Sequence, residues 1–305
     1  MKLTRDTRLP IFVIPGMPRA GTTFLYHNLQ KHPSIFLPYR KEIDYFNSIY
    51  RYRGIDWFHS LFKGISEGQY AGDISPACWF EPNTIKYIKD YNPDAKVILS
   101  LRDPAVFIVS LFAQKKSTHY DIPPTLKEFI EKGYISKLTK KGKGVRFKFD
   151  DKEFIYKVEE YRDAFGKNLL IYDFDFFKMN QLAILRAIED FLGIEQYFTE
   201  YNFENLRINE SMRRNIKLLS YIQNLELVRD IVEKYVPRLW TMKTRSFVDK
   251  TSVHSKPEDN ANQVHSLEDI ELARKYVHNS CKSFKNLFVG HSIMTGDGNT
   301  FQLRM

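Results

Sequence analysis

Cysteine is nearly missing from this chain: Cys78 and Cys281 are the only two in 305 residues. That scarcity excludes a disulfide framework and a cysteine-rich metal centre. Long apolar runs are also lacking, and none approaches the roughly 18 residues that a membrane span needs. Near the N-terminus only Ile11-Phe12-Val13-Ile14 is continuously apolar. Such a run is too short for the core of a signal peptide and suits a buried strand. Internal repeats are absent, and no stretch reads as a linker between domains. The expectation is a cytoplasmic protein without membrane association, residues 1–305 forming a single domain.

What is present supports a substantial core. The chain is 43% hydrophobic and 15% aromatic, which excludes a disordered or fibrous class. Its 46 basic residues outnumber 37 acidic ones, for a net charge of +9. A basic excess favours anionic partners, whether nucleotides, nucleic acid or acidic lipid. Charge alone does not choose among them.

The first half alternates short apolar strands with helical stretches, the pattern of an α/β fold with a parallel sheet flanked by helices. Ile11–Ile14 reads as the first strand, then a Gly/Pro loop, then a helix over 22–31 with Phe24, Leu25 and Leu29 on its buried stripe. Residues 96–101 and 169–172 read as further core strands, the latter closing at Asp173. A helix over 181–192 carries Leu185, Ile188 and Leu192, with Gly193 at its C-cap. The stretch 115–151 is polar, with Pro123-Pro124 and basic residues from Lys137 to Lys148, and reads as an irregular surface excursion. The C-terminal part reads as mostly helical: an amphipathic helix over 216–235, a loop or lid over 238–264, and a helix N-cap at Ser266. The Gly-rich tail from Gly290 carries no pattern.

The sharpest local signal is Gly16-Met17-Pro18-Arg19-Ala20-Gly21-Thr22-Thr23, set between a strand and a helix. Glycines allow the tight turn that aims successive N–H groups into one concavity, and a helix start adds partial positive charge. Pro18, Arg19, Ala20, Gly21, Thr22 and Thr23 are therefore candidate phosphate-binding residues. The spacing matches the G-x-x-x-x-G-K-[ST] pattern of P-loop proteins, except that Thr22 stands where the lysine belongs. A P-loop kinase or nucleotide hydrolase is one reading, with Asp173 as its metal-binding acid. A basic nucleic-acid-binding module is another, if the charge excess is clustered.

The displaced cation, Arg19 inside the loop, resembles the 5′-phosphosulfate loop of the sulfotransferases, which use the donor PAPS (3′-phosphoadenosine 5′-phosphosulfate). A second segment agrees with the resemblance. Leu99-Ser100-Leu101-Arg102-Asp103-Pro104, followed by Ser110, is similar to the family's R-D-P…S arrangement. That likeness implies Arg102 and Ser110 on the 3′-phosphate. It extends over about residues 10–195 and is greatest to heparan-type and bacterial members. It implies the P-loop-like sulfotransferase fold, PAPS as cosubstrate, 3′,5′-ADP as product and no metal. The K-G-x-x-G-x-W-K signature of cytosolic members is absent; Asn209 to Arg214 read first as an exposed polar helix start and, as the alternative, as residues closing over the adenine.

Lys41-Glu42-Ile43-Asp44-Tyr45-Phe46 resembles the family's K-E-x-H-F-F segment. It implies Glu42 as general base, with Asp44 a second carboxylate where the family has His. The alternative is a simple loop ion pair between Glu42 and Lys41. Gly72-Asp73-Ile74-Ser75-Pro76-Ala77 resembles G-E-K-S-P-x with Ile74 in place of the lysine, so either Arg19 acts alone or Lys41 substitutes. His32 and His119 are weaker candidates for a base. The expected acceptor is a neutral or cationic small molecule, as in natural-product modification, with no nucleic acid or membrane as partner.

Overall fold

The computed structural model describes residues 9, 11–47, 52–117, 122–136, 145–204 and 266–299, all within one compact unit. Its first half contains β1 (Ile11–Ile14), α1 (Thr22–Leu29), β2 (Ile35–Phe36), α2 (Gly54–Ser60), β3 (Tyr70–Ile74), α3 (Thr84–Tyr91) and β4 (Lys96–Leu101). Then come α4 (Pro104–Ser117), α5 (Leu126–Lys132), β5 (Tyr134–Ser136), β6 (Val145–Phe147), α6 (Asp151–Phe165) and β7 (Leu169–Asp173). α7 (Phe174–Met179), α8 (Gln181–Leu192), α9 (Leu267–Tyr276), α10 (His278–Leu287) and β8 (Ile293–Thr295) complete the described elements.

A 6-stranded sheet runs in the order β2-β3-β1-β4-β7-β8. All its pairings are parallel except β7 with β8. β1 is buried along its whole length and β4 from Val97 onward, which is why β1 reads as a continuous apolar run and β4 as one interrupted only by Ser100, rather than as alternations. The chain leaves β1 towards β3 on one side and later returns to β4 on the other. That reversal opens a crevice at the C-terminal ends of the strands, where ligands of open α/β sheets bind.

The expected strands and helices appear with small shifts. α1 buries Phe24, Leu25 and Leu29 and ends two residues before Lys31. α8 closes on Gly193, whose left-handed φ of 74° no β-branched residue would accept. Ser266 caps α9, its hydroxyl accepting from the Asp269 N–H at 3.0 Å. The helix expected over 216–235 and the loop or lid over 238–264 lie outside the described residues.

Two stretches differ from expectation. Residues 115–151 are not irregular where described: they hold α5 and the antiparallel pair of β5 and β6. Arg146-Phe147-Lys148-Phe149 alternates, turning Phe147 and Phe149 inward against Phe80, Phe129 and Phe154. Basic residues on the outer face of that alternation disguise it. The tail also has structure, because Ile293–Thr295 pairs antiparallel with β7 and gives the sheet its edge.

β3 was not legible as a strand, since Tyr-Ala-Gly-Asp-Ile lacks a β-branched run. Gly72 serves packing there: a Cβ would lie 2.3 Å from Leu37 Cδ2 and 2.5 Å from the Phe12 ring. Gly72→Ala should therefore lower folding stability by about 1–3 kcal/mol through overpacking, measured by denaturant unfolding at neutral pH.

Candidate functional site

The loop after β1 is fastened to β4 by reciprocal backbone bonds. Met17 N–H donates to Ser100 O at 3.0 Å, and Ser100 N–H donates to Gly16 O at 3.3 Å. On its other side Gly16 lies against Trp79, where a Cβ would come within 2.8 Å of the Trp79 Cβ. Gly21 takes φ +79° at the start of α1 and fits beneath the Phe177 ring, which a Cβ would approach to 2.5 Å. The first-turn amides of α1, which have no partner within a helix, begin directly at this loop.

Arg19 stands in the same loop with φ +63°, an uncommon conformation for a non-glycine residue. Its Nε donates to Ser110 Oγ at 3.3 Å. From the end of β4, Arg102 Nη1 donates to the same oxygen at 3.2 Å and to Arg19 O at 3.0 Å. The sequence places these residues by local rules. Asp103 accepts from Val106 N–H at 3.0 Å and starts α4, with Pro104 in the first turn. That leaves Arg102 directed at the loop and Ser110 two turns along the helix. Arg102 also lies over the Phe174 ring, with Cζ 5.2 Å from its centroid.

Burial, and secondly the neighbouring Arg19, push Arg102 down to about 10. Burial lowers Arg19 as well. Two guanidinium groups sharing one neutral hydroxyl form a site that gains stability from an anion, since a phosphate would offset both desolvation and mutual repulsion.

Across the crevice, the loop after β2 carries Lys41, Glu42 and Asp44. Lys41 Nζ donates to Glu42 Oε1 and to Thr23 Oγ1, each at 2.9 Å. The anticipated ion pair is present, and it is tied to the phosphate-loop helix. Glu42 and Asp44 adopt φ of +62° and +58°. The loop is held behind them by Tyr45, stacked on Phe58 at 4.1 Å between centroids. It is held also by Asp44 N–H, which donates to Ser75 Oγ at 2.9 Å.

Ser75 in turn donates to Asp73 Oδ1. Asp73 is fully buried at the end of β3, and its Oδ2 has no hydrogen-bond partner. Burial raises its pKa to about 7, the Ser75 bond opposing and the Glu42 charge adding to the rise. Asp73 was not legible in the sequence as a neighbour of this loop, because its segment differs from the family pattern at the adjacent Ile74. The available signal was a carboxylate closing a strand next to the one that carries the loop.

Other candidates sit elsewhere. His32 Nδ1 accepts from Ser34 N–H at 3.0 Å, so its proton is on Nε2, which reaches Glu195 O at 3.1 Å. It is a buried structural group beside Glu189. Asp173 caps α7 by accepting from Asp175 N–H at 3.0 Å. His119 and residues 209–214 lie outside the described residues. Among the described residues, no helix is long and apolar enough to cross a membrane, and no cluster of three metal-ligating side chains occurs.

A parallel sheet of this order, with a phosphate loop after its first strand and paired arginines at the switch point, defines a P-loop-like α/β protein. The profile of the sulfotransferase domain matches residues 9–285, and the chain belongs to that family. It is 40% identical over 99 residues to the membrane-associated sulfotransferase kil1 of Dictyostelium discoideum, covering 32% of this chain and 21% of that protein. It is 28% identical over 116 residues to heparan sulfate glucosamine 3-O-sulfotransferase 6 of Homo sapiens, covering 38% and 33%. The matches thus span no more than a third of these relatives' lengths. A crystal structure of a sulfotransferase from Alicyclobacillus acidocaldarius shares the fold, with a TM-score of 0.50 at 20% identity over 66% of this chain and 87% of that one.

The state of Asp73 gives a pH dependence with a definite sign. Its folded pKa of about 7 exceeds the ordinary 3.8, so the folded state binds the proton more tightly than the unfolded. Stability from this group is complete below the lower value and is lost as pH rises through the window to the upper one. Asp73→Asn keeps an oxygen for Ser75 but cannot ionise. Between pH 4.5 and 8 the variant should gain stability relative to wild type, by roughly a few kcal/mol, read from denaturant midpoints at each pH.

Proposed function

We propose that this protein transfers a sulfuryl group from PAPS to a hydroxyl or amine of a small-molecule acceptor. The observation that carries the proposal is the mutual hydrogen bonding of Arg19, Arg102 and Ser110 at the C-terminal ends of β1 and β4. In this reading Arg102 and Ser110 hold the 3′-phosphate. The backbone N–H groups of Ala20 and Gly21 and the hydroxyls of Thr22 and Thr23 hold the 5′-phosphate, and Pro18, which has no N–H, shapes the turn of the loop. Arg19 stabilises the charge that develops on the bridging oxygen.

Sulfuryl transfer, like phosphoryl transfer, needs alignment, charge stabilisation and a base rather than covalent help. Glu42 takes the acceptor's proton as the acceptor O or N bonds to sulfur. The old S–O bond breaks, and its electron pair stays on the 5′-phosphate of 3′,5′-ADP. The Glu42 side chain is 45% exposed, which suits a base that must meet an incoming acceptor. Asp44 adds a second carboxylate beside Glu42, and these acids favour a neutral or cationic acceptor over a polyanion. The heparan sulfate enzymes among the relatives make a glycan the competing acceptor. The two free cysteines support a cytosolic setting, compatible with modification of a natural product.

Two features weigh against a kinase or nucleotide hydrolase. Thr22 replaces the lysine that clamps β- and γ-phosphates, and Asp173 is engaged as a helix cap.

Calorimetry without added metal should show 3′,5′-ADP binding far more tightly than 5′-AMP, and Arg102→Ala should erase the difference. Tight ATP·Mg²⁺ binding with none for 3′,5′-ADP would overturn the donor assignment. A screen with labelled PAPS identifies the acceptor, and a sulfated glycan as the best substrate would overturn the acceptor class. With that acceptor, Glu42→Gln should cost on the order of 10²–10⁴ in turnover while 3′,5′-ADP affinity changes little. Near-wild-type turnover would remove Glu42 as base.

A further inference from the structure

Lys41 has no role in the function proposed above, although the sequence offers it as a substitute for the lysine that Ile74 replaces. Its side chain is only 12% exposed, and its ammonium touches both halves of the site. One N–H goes to Thr23 Oγ1 on the phosphate-loop helix, and a second to Glu42 Oε1 on the acceptor side. An ammonium has three donors. The third N–H of Lys41 has no partner among the described residues, although desolvating an ammonium makes an open donor costly.

The surroundings say what that donor is suited to. In P-loop nucleotide enzymes the lysine before the final Ser/Thr reaches the terminal phosphoryl group. Here that position is Thr22, and no other residue of the loop besides Arg19 is cationic. Lys41 restores a cation beside Thr23 from a different part of the chain. Arg19 and Arg102 are drawn together on Ser110, at the other side of the loop. The group in transit between donor phosphate and Glu42 would pass the Lys41 ammonium.

We propose that Lys41 is a catalytic cation that binds an oxygen of the transferring sulfuryl group while bonded to Glu42, so that it aligns the donor with the base. The inference rests on the sulfuryl-transfer reading above. The ammonium keeps its proton throughout. It neutralises charge on the sulfuryl oxygens while the proton of the acceptor passes to the other oxygen of the Glu42 carboxylate. The S–O bond to the 5′-phosphate breaks as the new bond to sulfur forms. A lysine that only braced the loop would contact no ligand and would not distinguish PAPS from 3′,5′-ADP, which differ by the sulfuryl group alone.

That difference supplies the test. PAPS and 3′,5′-ADP are titrated separately into the full chain and into Lys41→Met and Lys41→Arg, with affinity read calorimetrically in the absence of acceptor. Lys41→Met should weaken PAPS by about tenfold or more, the loss expected for a charge-assisted hydrogen bond. It should leave 3′,5′-ADP within about twofold, which also certifies the fold. Lys41→Arg should recover most of the PAPS affinity. If Lys41→Met does not fold, Lys41→Gln carries the same comparison. Equal weakening of both ligands, or of neither, overturns the proposal. A wild-type protein that binds neither ligand would instead overturn the donor reading on which the proposal stands.

Discussion

The reciprocal bonds between Met17, Gly16 and Ser100 extend the pairing of β1 and β4 beyond the last residues of β1. Arg19 takes its place from that extension. Because the loop is fastened to β4, Arg19 stands next to Arg102, the residue on which β4 gives way to α4. Because Gly16 has no side chain, the Trp79 ring packs directly against the loop from the far side. The β3 end that carries Asp73 and Ser75 is thereby brought against the same loop. A substituent at Gly16 or Gly21 would force apart aromatic groups that are themselves core, so the loop geometry and the core packing are one constraint.

The electrostatics divide along the crevice. One side concentrates positive charge, with two guanidinium groups sharing Ser110 and Arg102 lowered by burial and by Arg19. The other side holds carboxylates, and burial, with the Glu42 charge adding, raises Asp73 to about 7. Each arrangement is unfavourable in isolation, since burial penalises charge and like charges repel. Lys41 lies between the two sets, bonded to Thr23 on the helix that follows the loop and to Glu42.

Three non-glycine residues with positive φ, Arg19, Glu42 and Asp44, all lie in this region among the described residues. Such conformations cost on the order of 1–3 kcal/mol each and persist where surrounding contacts over-determine them. Here the contacts are identifiable. Arg102 binds the Arg19 carbonyl, Ser75 binds the Asp44 amide, and the Tyr45–Phe58 stack holds the chain immediately after Asp44. The same contacts aim the side chains that the proposed chemistry uses.

The sequence by itself determined the parts governed by short-range rules. A continuous apolar run followed by Gly-x-x-x-x-Gly and an amphipathic helix specified strand, phosphate loop and helix. Arg-Asp-Pro with Ser110 specified a strand end, a cap and a hydroxyl two turns away. It concealed β3, the β5–β6 pair and β8. β3 has weak strand propensity, the hairpin carries arginine and lysine on its outer face, and β8 owes its pairing to an edge that only β7 provides. Tertiary structure alone decided which charges meet. Arg19 and Ser110 are 91 residues apart, and the bond of Lys41 to Thr23 crosses 18 residues and the edge strand β2. The state of Asp73 was likewise hidden, because a carboxylate's pKa follows from complete burial beneath neighbouring strands and from a charge 31 positions earlier, neither of which its own segment records.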